Sequence, residues 1–183
     1  MAVVTVPDNR WGRVDIKSVS LLPNVLAKQA ARDQGAREAW LVDAKGMVTE
    51  GASSNAWIVT ADRKLVTRPT DHAILRGITR TVVLDVLRAQ GLMLDERPFT
   101  VAEAHAAQEA FVTSASQTVL PVVKIDGKPV GSGKPGKITH RMQDLFFGLF
   151  DGRTEDRWGW LEPLAGDNRE TVTPIKPAVA ARA

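Results

Sequence analysis

The sequence predicts an α+β domain built on a mixed sheet. Three observations carry that expectation. Hydrophobic residues make up 44% of 183 and charged residues 25%, enough apolar material for one ordinary core and too little charge for wholesale disorder. Short apolar runs of strand character recur along the chain, and stretches with the 3.6-residue period of a helix fall between them. The two kinds interleave without a clean βαβ rhythm or an internal repeat, so the expected sheet is mixed.

From the N-terminus, residues 3–6 are a strand ended by Pro7-Asp8. Residues 13–16 are a second strand candidate, with Lys17 at its end. Residues 21–34 are a helix. It carries Val25, Leu26, Ala30 and Ala31 on one side, Lys28, Arg32 and Asp33 on the other, and Gly35 where a C-terminal cap belongs. Strands at 38–43 and 46–49 are joined through Ala44-Lys45-Gly46, and strands at 56–60 and 64–67 flank the turn Asp62-Arg63. Residues 78–90 form an amphipathic helix with Val82, Val83, Val86 and Leu87 inward and Gly91 at its end. A strand at 92–97 follows. Thr100-Val-Ala-Glu103 has the capping-box spacing and starts a short helix. Residues 110–113 and 119–125 are buried strands, and Asp126-Gly127 is a hairpin turn leading to Pro129-Val130. A helix at 138–149 closes the domain. Beyond Asp151 the chain turns to charge, proline and alanine with weak periodicity. The expected boundary is therefore 1–150 against an extension, 151–183, that is partly disordered and whose Trp158, Trp160 and Leu161 are able to dock on the domain.

Composition narrows the function. The absence of cysteine excludes disulfides, thiolate metal sites and a cysteine nucleophile, and is compatible with the cytoplasm. His72, His105 and His140 have no partners at ligand spacing, so no metal is expected. The longest apolar runs, such as Leu145-Phe146-Phe147, are too short to cross a bilayer, and no signal-peptide pattern opens the chain. The net charge is +3, and the basic residues are scattered without interleaved aromatics. That argues against nucleic acid and still allows a preference for an anionic ligand.

Four stretches are able to carry chemistry. Lys17 ends the second strand candidate beside Ile16. Its stem either snorkels at a surface or places an amine against apolar walls, where the charged form is disfavoured and the amine becomes a usable nucleophile or base. Glu50-Gly-Ala-Ser-Ser-Asn55 is either a polar surface turn or a carboxylate with small neighbours that let backbone approach a ligand. Leu75-Arg-Gly-Ile-Thr79 precedes the strongest helix. It is a plain helix start, or free N–H groups and a dipole that favour an anion. Val112-Thr-Ser-Ala-Ser-Gln117 is an anion cradle or ordinary turn chemistry. Taken together, one lysine, one carboxylate, one helix N-terminus and one hydroxyl-rich turn are the parts that a pyridoxal phosphate site requires.

These residues resemble the class IV, fold-type IV pyridoxal-phosphate aminotransferases, and within them the D-amino-acid aminotransferases. The matching pieces are VDIKSVSLLPNVLAKQAA (14–31), VTEGASSN (48–55), ILRGITR (74–80) and FVTSASQTVLPVVKIDGKPV (111–130), in family order and spacing, spanning roughly residues 3–150. The run at 20–29 is more similar to the D-amino-acid branch than to the branched-chain one. The resemblance implies a mixed-sheet pseudo-barrel with flanking helices, pyridoxal 5'-phosphate as cofactor, and transfer of an amino group from a D-amino acid to a 2-oxo acid. Branched-chain or (R)-amine aminotransferases and aminodeoxychorismate lyases of the same class are the alternatives.

By position, the resemblance makes Lys17 the Schiff-base lysine and the proton shuttle, and pairs Glu50 with the pyridine nitrogen. Leu75 packs on the ring. Gly77 and the N–H groups of Ile78 and Thr79, with the Thr79 hydroxyl, hold the phosphate. Ser114, Ala115 and Ser116 hold it from the other side; Ala115 stands where many relatives have threonine, so its backbone N–H alone can serve. A cytoplasmic homodimer is implied, with Phe146, Phe147 and Phe150 as possible contact surface, and no nucleic-acid or membrane partner. Family members also carry an N-terminal small domain of about a hundred residues, which holds a phosphate-binding arginine, a tyrosine and the substrate-carboxylate trap. Residues 1–150 are accordingly expected to be the cofactor-binding large domain alone, with a cofactor-binding unit of little turnover as the alternative to an active enzyme.

Overall fold

The chain opens with a parallel crossover. β1 (Ala2–Pro7) leads through a long loop to α1 (Leu22–Asp33) and then β2 (Glu38–Val42), which pairs parallel to β1 from Val3↔Glu38 to Pro7↔Val42. The structure, a computed structural model, describes residues 1–154. Two expectations change here. Residues 13–16 are no strand: Ile16 N–H bonds Arg13 O at 3.1 Å in a turn, and Val14 N–H goes to His72 O at 3.1 Å. With that strand gone, β1–α1–β2 is a clean βαβ unit. The buried side of α1 is Ala27 and Ala31, against Val4, Ala39 and Leu41. Val25 and Leu26 face outward, each 60% exposed. Alanines let the helix approach the sheet closely, which turns the larger side chains away.

β3 (Met47–Gly51) returns antiparallel to β2 through a turn in which Asp43 accepts from the N–H groups of Lys45 and Met47, with Gly46 at φ 77°. β4 (Asn55–Val59) and β5 (Leu65–Thr67) form a hairpin. α2 (Ile78–Ala89) then crosses to β6 (Leu94–Glu96), parallel to β5, as a second βαβ unit. The two-residue β7 (Phe99–Thr100) attaches to β3. α3 (Val101–Ala106) carries the expected capping box, with Glu103 N–H donating to Thr100 Oγ1 and Thr100 N–H donating to Glu103 Oε2. β8 (Glu109–Ser114) and β9 (Thr118–Val122) pair antiparallel to each other, and β8 to β4. β10 (Lys124–Ile125) runs parallel to β1 and folds back onto β11 (Lys128–Pro129). Asp126 and Gly127 both have positive φ in that turn, as a two-residue hairpin of this hand requires. α4 (Lys137–Phe150) is the last helix among the described residues. The extension beyond 154, with Trp158, Trp160 and Leu161, lies outside the described residues.

Two sheets result, β11-β10-β1-β2-β3-β7 and β6-β5-β4-β8-β9. They curl around a shared core of Val3, Trp40, Val48 and Phe99 from the first and Ile58, Val66, Val112 and Val122 from the second. The outer face of the second sheet packs Trp57 and Phe111, stacked at 5.3 Å, under α2 and α4. Val82, Val83, Val86 and Leu87 face inward as their spacing predicts, each contributing about 1.5–3 kcal/mol by burial. Of the three phenylalanines in α4, Phe146 is buried, while Phe147 and Phe150 are exposed. This α+β half-barrel with flanking helices is the expected architecture.

α4 has no side-chain cap of its own. Glu109, at the start of β8, supplies one from a distance: its carboxylate accepts from Ile138 N–H at 3.0 Å, Thr139 N–H at 2.8 Å and Thr139 Oγ1 at 2.8 Å. Glu109→Ala is expected to lower the unfolding free energy by about 1–2 kcal/mol, measured by urea titration at neutral pH. An unchanged midpoint would show that water replaces the cap.

Candidate active site

Glu50 is the next-to-last residue of β3, and the chain turns from Gly51 into β4 at Asn55. Gly51 N–H bonds Ser54 O at 2.6 Å, and a Cβ on Gly51 would lie 2.2 Å from Ser54 Oγ, so this turn needs glycine. The turn leaves Glu50 5% exposed. Its Oε1 accepts from Arg10 Nη1 at 2.5 Å and its Oε2 from Asn55 Nδ2 at 2.9 Å, while Leu75 N–H reaches both oxygens at 3.1 and 3.2 Å. Burial pushes this carboxyl up to about 7, against the pull of the Arg10 guanidinium and the Leu75 N–H; the Asp8 carboxylate adds to the rise.

Arg10 is the residue that the sequence reading missed. Its side chain is 5% exposed. Nε and Nη2 grip Asp8 as a fork at 2.9 and 2.8 Å, and Nη2 also reaches Ala73 O at 3.1 Å and Thr49 Oγ1 at 3.3 Å. Burial opposes its charge, but Asp8 and Glu50 outweigh that and hold its pKa above the ordinary value. Asp8 is likewise held below the usual carboxylate range: burial is outweighed by Arg10 and the Thr49 hydroxyl. Forty residues separate Arg10 from Glu50, and no local pattern joins them.

Asn55 organises the rest. It pairs with Thr113 on β8, and its Nδ2 also donates to Leu75 O at 2.9 Å. Its Oδ1 lies 2.2 Å from where a Cβ on Gly77 would sit, so the start of α2 is seated directly on it. α2 begins without a side-chain cap and without an acidic residue in its first turn. The first-turn N–H groups of Ile78 and Thr79 therefore lack intrahelical partners, and the dipole at this end favours an anion. Thr79 is buried, while Ile78 is exposed. Beyond Thr113, β8 turns through Ser114, Ala115 and Ser116 into β9. Ser114 Oγ accepts from Gln117 N–H at 3.2 Å and so closes its own turn; the hydroxyl proton stays free to donate. Ala115 and Ser116 are exposed.

Lys17 lies elsewhere than expected. It sits in the β1–α1 loop, exposed, and not at a strand end between apolar walls. Its amine makes no hydrogen bond or ion pair with another described residue. The loop is tied toward the site through Val14 N–H to His72 O and through Arg10 to Ala73 O. Glu50, Leu75 and Asn55 thus form one bonded cluster against which Gly77 and the start of α2 are seated, and Lys17 lies on a separate loop.

The cluster fits pyridoxal phosphate on two observations. One is a buried carboxylate, poised near neutrality, that donors from three separate segments hold in place. The other is an uncapped helix start seated so tightly on Asn55 that only glycine fits between them.

A model of the family described as amino-transferase class IV matches residues 2–125. The D-alanine aminotransferase of Bacillus licheniformis is 43% identical over 143 residues, covering 78% of this chain and 50% of that protein. The Escherichia coli branched-chain amino acid aminotransferase superposes with a TM-score of 0.77 at 30% identity, over 87% of this chain and 54% of that one. A T.th. branched-chain aminotransferase complexed with N-(5'-phosphopyridoxyl)-L-glutamate superposes with a TM-score of 0.77 at 27% identity, over 87% and 55%. The chain spans about half the length of the curated relatives it matches.

Proposed function

The chain belongs to the class IV amino-transferases, and on that premise we propose that it performs pyridoxal-phosphate-dependent transfer of an amino group from a D-amino acid to a 2-oxo acid. The observation that carries the proposal is Glu50, a buried carboxylate bonded to Leu75 N–H beside the uncapped start of α2. The identity with a D-alanine aminotransferase supports the D-amino-acid side, and the fold shared with branched-chain aminotransferases makes the branched-chain substrate the competing choice.

When bound, pyridoxal phosphate supplies an electron-accepting ring. Glu50 would accept a hydrogen bond from the ring nitrogen and favour its protonated form. Leu75 would cover one ring face. Gly77, Ile78 and Thr79 would hold the phosphate through backbone N–H groups and the Thr79 hydroxyl, with Ser114, Ala115 and Ser116 opposite. Lys17 would carry the cofactor through its amine and move the proton at the substrate Cα. Residues 1–150 form the proposed cofactor-binding unit. The proposed assembly is a homodimer, supported by the exposed apolar side chains of Trp11, Val25, Leu26, Phe147 and Phe150, and the proposed location is the cytoplasm.

An absorbance titration with pyridoxal phosphate, followed by D-alanine with 2-oxoglutarate and then by L-alanine, tests the reading. Uptake of the cofactor and a response to D-alanine alone is the expected result. A response to L-alanine instead would overturn the D-amino-acid assignment, and no uptake would end the proposal. The exposure of Lys17 favours a second reading, cofactor binding with little turnover, which predicts uptake without product. Gly77→Ala would push on the Asn55 amide, and about a tenfold loss of cofactor affinity is expected in the same titration.

A further inference from the structure

We propose that Arg10 is a positioning residue for Glu50: clamped on Asp8, it sets both the place and the charge of the carboxylate offered to the cofactor's ring nitrogen. The inference rests on the reading of Glu50 as the partner of that nitrogen.

The geometry is specific. A guanidinium is a planar fork, so once Nε and Nη2 are committed to Asp8 the direction of Nη1 is set. That direction is Glu50 Oε1. Asp8 is itself anchored by the Thr49 hydroxyl, at 2.7 Å, one residue before Glu50. Arg10 also holds Ala73 O, two residues before the N–H of Leu75 that bonds Glu50. One side chain therefore locks the carboxylate and the segment above it together.

The charged groups around Glu50 are few. Arg10 and Asp8 come from the loop after β1, and β3 adds only the neutral Thr49 hydroxyl. Asn55 on β4 and Leu75 in the loop before α2 also face it with neutral donors. The nearby Glu38 on β2 is turned to Ser53, Ser54 and Lys28. Arg10 is thus the one cation bonded to Glu50 among the described residues, and it shares its charge with Asp8. A carboxylate buried without a cation keeps its proton, and a protonated carboxyl cannot stabilise a protonated ring nitrogen.

The test reads the Glu50 carboxyl directly, in the cofactor-free chain, by pH-difference infrared spectroscopy with carbon-13-labelled glutamate. Glu50→Gln identifies the band. In Arg10→Met the midpoint of Glu50 is expected to rise by about one pH unit or more, a tenfold gain in proton affinity. Arg10→Gln keeps a donor in the site; it should shift the midpoint in the same direction and serves if the methionine variant fails to fold. Arg10→Lys, which keeps the charge and loses the fork, should recover the midpoint in part. An unchanged midpoint in both neutral variants would overturn the inference, as would complete recovery with lysine. A parallel titration with pyridoxal phosphate separates the two levels. Failure of the unsubstituted chain to take up cofactor would sink the proposed function and leave the carboxyl result standing. Normal uptake with an unmoved midpoint would sink the role of Arg10 alone.

Discussion

Lys17→Ala is expected to fold as the parent chain does and to lose amino transfer by a factor on the order of 10³ or more. The two halves of that expectation have separate causes. The lysine sits exposed in the β1–α1 loop, without a polar partner among the described residues. Surface substitutions of that kind stay within about 0.5 kcal/mol, so circular dichroism and the unfolding midpoint should not move. The reaction, in contrast, needs an amine to carry the cofactor and a base to move the proton at Cα, and the proposed function gives both roles to Lys17. Half-reaction absorbance changes with D-alanine give the rate. Persistence of those changes in the variant would remove Lys17 from the mechanism.

Glu50 should leave a mark on stability that is readable without any cofactor. Its carboxyl titrates near 7 in the fold and has an ordinary value of 4.5. Below 4.5 both folded and unfolded chains hold the proton. Between 4.5 and 7 the folded chain retains it and the unfolded chain releases it, so stability falls as pH rises, and it levels off above 7. Each pH unit in that window is worth about 1.4 kcal/mol, for a total of about 3 kcal/mol. Glu50→Gln abolishes the titration. The difference in unfolding free energy between the two chains should therefore shift by about that amount, in favour of the variant, as pH rises from 4.5 to 7. Asp8 and Asp43, whose pKa values are held low, act in the opposite sense as acid is added, but both chains carry them. Parallel stability curves would show that Glu50 titrates alike in the folded and unfolded chains, and would remove burial as the dominant influence on it.

Much of the fold was legible because its causes are local. The apolar stripe of α2, the Thr100–Glu103 box and the Asp126-Gly127 turn each depend on residues a few positions apart. Where reading failed, the cause was distant. Residues 13–16 alternate like a strand, yet Val14 spends its N–H on His72 and no strand among the described residues pairs with them. Val25 and Leu26 look like a core face, but β1 and β2 accept the alanine side of α1. β7 is two residues long, too short for any period to appear.

The candidate site divides in the same way. Chain order alone discloses which short motifs carry an amine, a carboxylate, an uncapped helix start and a hydroxyl-rich turn, because each motif is a matter of neighbouring side chains and backbone conformation. That Arg10, Glu50, Asn55 and Leu75 share one set of hydrogen bonds depends on β2 pairing with both β1 and β3, which brings the loop after β1 to the end of β3, and on the tight turn at Gly51. Strand pairing brings together residues whose separation in sequence carries no information about their distance in space, and it fixes which buried carboxylate receives a cation.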